Sequence, residues 1–281
     1  CPVGALISKD FLYQARVWFQ KKTDSICTAC SRGCNVEVQT KDNQLKRLVP
    51  RHNPDVNDYW MCDHGRHDHD YVLGEQRSLR YRLGDSAQPA DAGKRLFQAL
   101  RAFAEARGGG SLGIIASAFL TLEEAYLLRK LAEAAGVPPA NIAAWARPAG
   151  KEQVFKSGFR ISADKNPNRR GVEKILGAGV FERLEGVGKR LAAGELKGLI
   201  AVSDRPHVLL GQGPGEEKLP ELLGNLDLAV IFELEHGARV PDSALVLPST
   251  AFSEKDGTMI NDSGRVQRLR PATELPRGIL P

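Results

Sequence analysis

The stretch CTACSRGC, residues 27–34, places three cysteines within eight positions, and a fourth follows at Cys62 in YWMCDHGRHDHDY. The spacing is C-x2-C-x3-C, then 27 residues, then C, and it uses four of the five cysteines of the chain. Zinc sites more often pair two C-x2-C knuckles, whereas a compact triplet with one remote cysteine suits the corners of a cubane [4Fe-4S] cluster. One loop wraps three irons, and a returning segment supplies Cys62 for the fourth. Gly33, Ser25 and Thr28 are small, so backbone N–H groups can approach the sulfurs and tune the potential. Structural zinc stays as an alternative. Disulfides or free thiols are disfavoured, because the triplet is too tight to pair comfortably and no secretory signature accompanies it.

At 281 residues, the chain has room for one large domain or two of ordinary size. Its net charge of +5 comes from 39 Lys and Arg against 34 Asp and Glu, scattered apart from pairs such as Lys21-Lys22 and Arg169-Arg170. That pattern reads as a solvated surface rather than a nucleic-acid interface. No run of about 18 apolar residues is present to span a bilayer. The opening CPVGALISKDF lacks the basic and apolar regions of a signal peptide, and a chain beginning at Cys1 is expected to be a piece of something longer.

Working outward from the cysteines, Phe11, Tyr13, Val17, Trp18 and Phe19 near-alternate and predict a short strand within residues 1–22. NVEVQTKDNQLKRLV, residues 35–49, predicts a hairpin turning at Asp42-Asn43. Residues 50–70 are rich in Pro, Asn, Asp, Gly and His and read as irregular. The composition changes near residue 80. A helix is predicted over 91–107, then the apolar strand SLGIIASA, then a helix with Thr121 as N-cap, Glu124 three residues later and Gly136 at its end. KGLIAVSD (197–204), a helix at 216–223, LDLAVIFEL (226–234) and ALVLP (244–248) continue the alternation. Apolar strands separated by helices imply a mainly parallel sheet covered on both faces. The fold class is therefore α/β, with a small irregular, β-containing cysteine domain in front of an α/β domain.

His64, His67 and His69 lie close together among acids and invite a second metal site, but no periodicity sets them on one face, so a solvated polar loop is the better expectation. GQGPG, residues 211–215, lacks the full dinucleotide-binding pattern and reads as a turn. No catalytic set can be assembled from spacing alone.

CPVGAL, ARVWFQKKTDSICTACSRGCNV and MCDHGR together resemble the large iron-sulfur subunit of NADH:quinone oxidoreductase, respiratory complex I. LTLEEAYLLRKLA, ADKNPNRRG and LPSTAFSEKDGTMINDSGRVQ resemble pieces of the molybdopterin oxidoreductase superfamily, with Glu254, Gly257, Thr258, Asn261, Gly264 and Arg265 at the usual positions of its hairpin. The resemblance implies three parts: residues 1–22 ending a ferredoxin-like region, residues 23–78 forming a 4Fe-4S domain, and residues 79–281 forming a shortened, degenerate molybdopterin-oxidoreductase-like domain.

It further implies that Cys27, Cys30, Cys34 and Cys62 ligate one [4Fe-4S] cluster lying off the main electron path. Cys1 would ligate a separate [4Fe-4S] cluster completed upstream. Arg66 would offset cluster charge. All five cysteines are then assigned, none is left for molybdenum, and molybdopterin is not expected. The implied partners are the NADH/FMN-binding and quinone-module subunits of a peripheral arm on the cytoplasmic side of the inner membrane, carrying electrons from NADH and FMN toward quinone. A molybdenum-dependent formate dehydrogenase-like oxidoreductase and the diaphorase subunit of an NAD-linked hydrogenase are the alternative readings.

Overall fold

The computed structural model describes residues 4–82, 89–202, 223–235 and 240–279. Cys1, GQGPG at 211–215 and nearly all of the helix expected at 216–223 lie outside these residues. Near the N-terminus, β1 (Lys21–Ile26), β2 (Asn35–Lys41) and β3 (Gln44–Pro50) form an antiparallel sheet in the order β1-β2-β3. The expected hairpin is present. Asp42 (φ 53°) and Asn43 (φ 58°) both adopt the left-handed conformation of a tight turn whose twist matches its strands, and both residue types tolerate it. Val36 and Val38 face the core with no exposed surface.

Two expectations fail here. Residues 8–20 form no strand; two 3-10 turns, Lys9–Phe11 and Val17–Phe19, precede β1. Phe11 alone of the alternating aromatics is buried, Trp18 and Phe19 remain exposed, and among the described residues no neighbouring strand satisfies this backbone. Within the supposedly irregular 50–70, a short helix α1 (Asp63–His67) begins directly after Cys62, and a 3-10 turn (Asp70–Val72) follows. The sulfur of Cys62 caps α1 by accepting the Gly65 N–H, a role that spacing alone did not suggest.

The α/β part runs α2 (Ala92–Arg107), β4 (Leu112–Ser117), α3 (Leu122–Ala134), β5 (Ile142–Trp145), a two-residue pair β6 (Gln153–Val154) and β7 (Arg160–Ile161), α4 (Arg169–Leu176), α5 (Leu184–Ala192), β8 (Gly198–Val202), β9 (Leu228–Glu233), β10 (Leu245–Pro248), and the hairpin β11 (Gly257–Ile260) and β12 (Val266–Leu269). Five strands form one wholly parallel sheet in the order β10-β9-β8-β4-β5. Ile114 and Ala116 of β4 pack with Leu100, Phe103, Leu128 and Val172 on one face, while Ile115 packs with Val187 and Leu191 on the other. Burial on both faces explains the continuous apolar runs. The sequence reading passed over α4 (RRGVEKIL) and α5 (LEGVGKRLA), short helices with internal glycines that lower helix propensity.

Strand order reverses at β4, where β5 lies on one side and β8 on the other, and such switch points open a crevice beyond the strand ends. The chain fills the β4 side of this crevice itself. The Asn168 N–H donates to the Ala118 carbonyl (3.1 Å), and the Asn168 side-chain amide donates to Leu120 (2.6 Å) and accepts from the Ile260 N–H (2.7 Å). Thr121 and Glu124 form the expected capping box on α3. The same helix start grips β11: Lys255 pairs with Glu124 (3.1 Å), and the Thr258 N–H and hydroxyl both donate to Glu123 (2.8 and 2.6 Å). Gly257 passes so close that a Cβ there would lie 2.5 Å from Thr121 Cγ2.

The hairpin is thereby carried to the small sheet. Met259, Leu269 and Ala272 share a core with Ile26, Val36, Val38 and Leu48, joined by Phe159 and Leu234. A buried ion pair locks the arrangement: Arg77 Nη2 donates to Glu254 Oε2 (2.6 Å), with side chains 4% and 3% exposed. Arg77 also donates to the Val72 and Ser249 carbonyls (both 3.2 Å), and Glu254 accepts the Ala251 N–H (2.7 Å).

Replacing Glu254 by Ala strands the Arg77 guanidinium in the interior and should destabilise the fold by ~3–5 kcal/mol, read as a lowered urea midpoint, whereas the double change Arg77→Met, Glu254→Leu should recover most of the loss. Partial burial pushes the Glu123 carboxyl up, but the hydrogen bonds from Thr258 and the helix start outweigh it and hold its pKa below the ordinary carboxylate range. Its contribution is therefore present at neutral pH and lost as the pH falls through that lowered value. In Glu123→Gln this part of the acid dependence should disappear from a pH series of melting temperatures.

Candidate metal centre

The cysteine triplet lies in a loop that closes on itself, since the Cys27 N–H donates to the Cys34 carbonyl (2.8 Å). Gly33 turns the loop with φ 61°, and a Cβ there would lie 2.5 Å from Gln267 Oε1. The carbonyls of the loop point outward and are met by the distant hairpin. Ser31 O accepts from the Asp262 N–H (2.8 Å), Arg32 O from Asn261 Nδ2 (3.3 Å) and Gly33 O from Gln267 Nε2 (2.9 Å). A second distant segment holds Ser31: its N–H donates to Asp164 O (2.9 Å), and its hydroxyl bonds the Ser162 hydroxyl (2.8 Å), both serines being buried.

With the carbonyls drawn outward, backbone N–H groups turn toward sulfur. Those of Ala29, Arg32 and Cys34 favour the thiolates of Cys27, Cys30 and Cys34 respectively. The Ser25 hydroxyl is taken by the Arg270 backbone, accepting its N–H (3.1 Å) and donating to its carbonyl (3.3 Å).

Cys62 returns through a segment pinned by Asn57. The Asn57 side chain, 2% exposed, accepts the Asn35 N–H (2.9 Å) and donates to the Trp60 carbonyl (2.9 Å), tying the approach to Cys62 onto the start of β2. Gly65 then packs between two cysteines: a Cβ on it would lie 2.8 Å from Cys27 Sγ and 3.5 Å from Cys62 Sγ.

Cys27, Cys30 and Cys34 are buried, and Cys62 is half-buried. Burial, then Cys34, pushes the Cys27 thiol well above its usual pKa. Burial raises Cys30 too, and burial followed by the Cys30 and Cys62 charges pushes Cys34 up to about 12. These mutual effects put all four sulfurs within electrostatic reach of one another. Among the described residues, no group of three or more His, Cys, Asp and Glu converges on a position for a single metal ion. The donor set of four cysteines fits a multi-iron group held at its corners, and the missing side chain of Gly65 lets α1 pack directly against two of the sulfurs.

The three histidines do not gather. His64 faces Asp68 (3.7 Å), His67 faces Asp10 (3.2 Å) and His69 faces Asp70 (3.8 Å); the first two sit on α1 rather than on the polar loop expected. Arg66 sends its guanidinium to the Leu48 carbonyl (3.5 Å) and lines a cavity with Arg47 on the β3 side. The cations whose charge favours the thiolates include Lys165 and Arg160 at Cys30 and Arg32 at Cys34. Lys165 borders a wide cavity of about 1230 Å³ shared with Cys62, Trp60, Arg147 and Phe159. Sequence reasoning missed Asn57, Ser162, Lys165 and Gln267. ADKNPNRRG and the hairpin motif were visible as pieces of a superfamily, but their proximity to the cysteines is a product of the tertiary fold.

Residues 20–74 match the family described as the molybdopterin oxidoreductase Fe4S4 domain, and residues 192–278 match molybdopterin oxidoreductase. Among curated proteins, NADH-quinone oxidoreductase subunit 3 of Thermus thermophilus is 29% identical over 170 residues, covering 57% of this chain and 22% of its own. The mitochondrial NADH-ubiquinone oxidoreductase 78 kDa subunit of Candida albicans is 32% identical over 138 residues, covering 48% of this chain and 19% of its own. A NADH-quinone oxidoreductase subunit of Rickettsia felis is 24% identical over 258 residues, covering 87% of this chain and 36% of its own. The resemblance read from the sequence is borne out, as is an α/β fold in which an Fe4S4 domain precedes a molybdopterin-oxidoreductase-like domain. The chain spans between 19% and 36% of the length of these relatives.

The close packing of Gly65 against sulfur gives a direct test. Gly65→Ala is acceptable to the backbone of α1 yet drives a methyl group against Cys27 Sγ, and it should weaken retention of bound iron by about tenfold or more in a chelator challenge. Retention equal to that of the parent chain would show that the position of Cys27 Sγ against α1 has no part in holding iron.

Proposed function

We propose that this chain is an electron-transferring portion of the large iron-sulfur subunit of an NADH:quinone oxidoreductase. In this reading Cys27, Cys30, Cys34 and Cys62 hold one [4Fe-4S] cluster, and Cys1 belongs to a separate one completed by residues of a ferredoxin-like region. The observation that carries it is the quartet of mutually interacting cysteines, three buried on one loop and a half-buried fourth returned by the Asn57 anchor. When bound, such a cluster accepts and releases one electron at a time.

The residues of the chain have separate tasks. The four thiolates fix the position of the group. Ile26, Ala29, Val36 and Met61 pack in the core around the loop and keep water away, which lowers the local dielectric and sharpens the effect of nearby charge. The loop N–H groups stabilise negative charge on sulfur. Because uptake draws protons from thiols whose pKa values are raised, binding and local folding are coupled. The division into residues 1–22, 23–78 and 79–281 is kept as part of the proposal, with the last part a scaffold that carries the hairpin and the Ser162–Lys165 segment to the loop. The partners proposed are the NADH/FMN-binding and quinone-module subunits of a peripheral arm. No helix among the described residues is long and apolar enough to cross a membrane.

The test is anaerobic purification of the chain with elemental analysis and EPR of the dithionite-reduced protein. About four irons per chain and a [4Fe-4S] signal that is lost in Cys30→Ala are expected. Zinc in place of iron, or a signal unchanged by that substitution, would sink the assignment, and stoichiometric molybdenum would transfer the chain to the molybdenum-dependent oxidoreductases.

A further inference from the structure

Lys165 occupies an unusual position among the cations near the cysteines. Arg32 has its charge partly compensated by Asp262 (3.9 Å), which also pairs with Arg160 (2.7 Å). Arg66 turns toward Leu48 on the β3 side. Lys165 forms no ion pair among the described residues; its ammonium donates to the Ser162 carbonyl (2.7 Å). Its stem lies across Gly150, where a Cβ would come 2.8 Å from Lys165 Cε, and Gly150 is itself held by its N–H donating to the Ala163 carbonyl (2.8 Å). The head is therefore fixed at both ends of its approach, an arrangement that surface lysines rarely have.

The segment bearing it is clamped onto the cysteine loop. Ser162 bonds Ser31 between two buried hydroxyls, and Asp164 accepts the Ser31 N–H. Asn166, fully buried, holds the far end by accepting the Arg147 N–H (2.7 Å) and donating to the Arg147 carbonyl (3.0 Å). Arg160, the other cation at Cys30, is paired with Glu152 and Asp262. Because the clamp is on Ser31, the neighbour of Cys30, it brings the Ser162 N–H and the Lys165 ammonium to the Cys30 side of the loop. Both favour negative charge there, and a reduced cluster carries one more negative charge than an oxidised one.

We propose that Lys165, held by the Ser162 carbonyl and backed by Gly150, is the positioning residue that raises the reduction potential of the group bound by Cys30. The inference rests on the reading of the four cysteines as cluster ligands. Lys165 does not ligate the cluster; it acts through a fixed charge. The neutral substitution Lys165→Gln removes the charge while keeping an N–H donor on a shorter stem, so the iron content measured alongside shows whether the segment still holds together. Gly150→Ala supplies the complementary change, because it keeps the ammonium and pushes it off its seat.

The experiment is an EPR-monitored redox titration of the purified chain with iron content measured in parallel. Lys165→Gln should keep the iron content and signal shape of the parent and shift its midpoint potential to more negative values. Lys165→Arg should restore the parent value in large part, and Gly150→Ala should shift it in the same direction as Gln by a smaller amount. A midpoint unchanged in Lys165→Gln at full iron content overturns the proposal and leaves Lys165 a structural residue. A parent chain without iron overturns the underlying reading instead, so the two failures are told apart.

Discussion

A loop that turns its N–H groups inward toward sulfur must turn its carbonyls outward, and a buried carbonyl without a donor costs free energy comparable to a lost hydrogen bond. Residues 27–34 meet this constraint with donors from far along the chain: Asp262, Asn261 and Gln267 serve the carbonyls of Ser31, Arg32 and Gly33. The rest of the architecture follows from having to deliver those donors. The hairpin β11–β12 must reach the small sheet, so it is gripped at one side by the start of α3 and at its base by the Arg77–Glu254 pair. The parallel sheet, with no cysteine among its described strands, is the frame that makes this delivery rigid.

The α/β frame was legible because its signals are local. Apolar runs of strand length, the Thr121–Glu124 capping box and Gly136 after α3 each declare themselves within a few residues. The C-x2-C-x3-C triplet and the remote Cys62 were equally visible as spacing. What spacing could not disclose is which residues stand behind the sulfurs. Lys165 and Ser162 lie more than a hundred positions after Cys30, and nothing local distinguishes Lys165 from the other lysines of the chain. Arg66, four residues from Cys62, was the natural candidate from the sequence, yet α1 carries its side chain toward β3. Proximity in the chain was a poor guide to proximity in space.

The N-terminal segment shows the opposite limit. Near-alternation of aromatics from Phe11 to Phe19 has the period of a strand, but a strand also needs a neighbour for its backbone, and none is present among the described residues. The chain turns twice instead, burying Phe11 under the Arg47 guanidinium (4.3 Å from its ring centre) and leaving Trp18 and Phe19 at the surface.

The dependence of residues 27–34 on residues 261–267 also sets an order of events during synthesis. A ribosome delivers the cysteines first and the hairpin more than two hundred residues later. Until Asn261 and Gln267 emerge, the loop carbonyls have only water as donor, and the fixed partners that turn its N–H groups toward sulfur are missing. Long-range contacts of this kind form late and slowly. The nascent chain therefore carries these thiols without the hairpin's cover through the intervening synthesis, open to oxidation, and the loop takes its folded geometry only after the hairpin has docked.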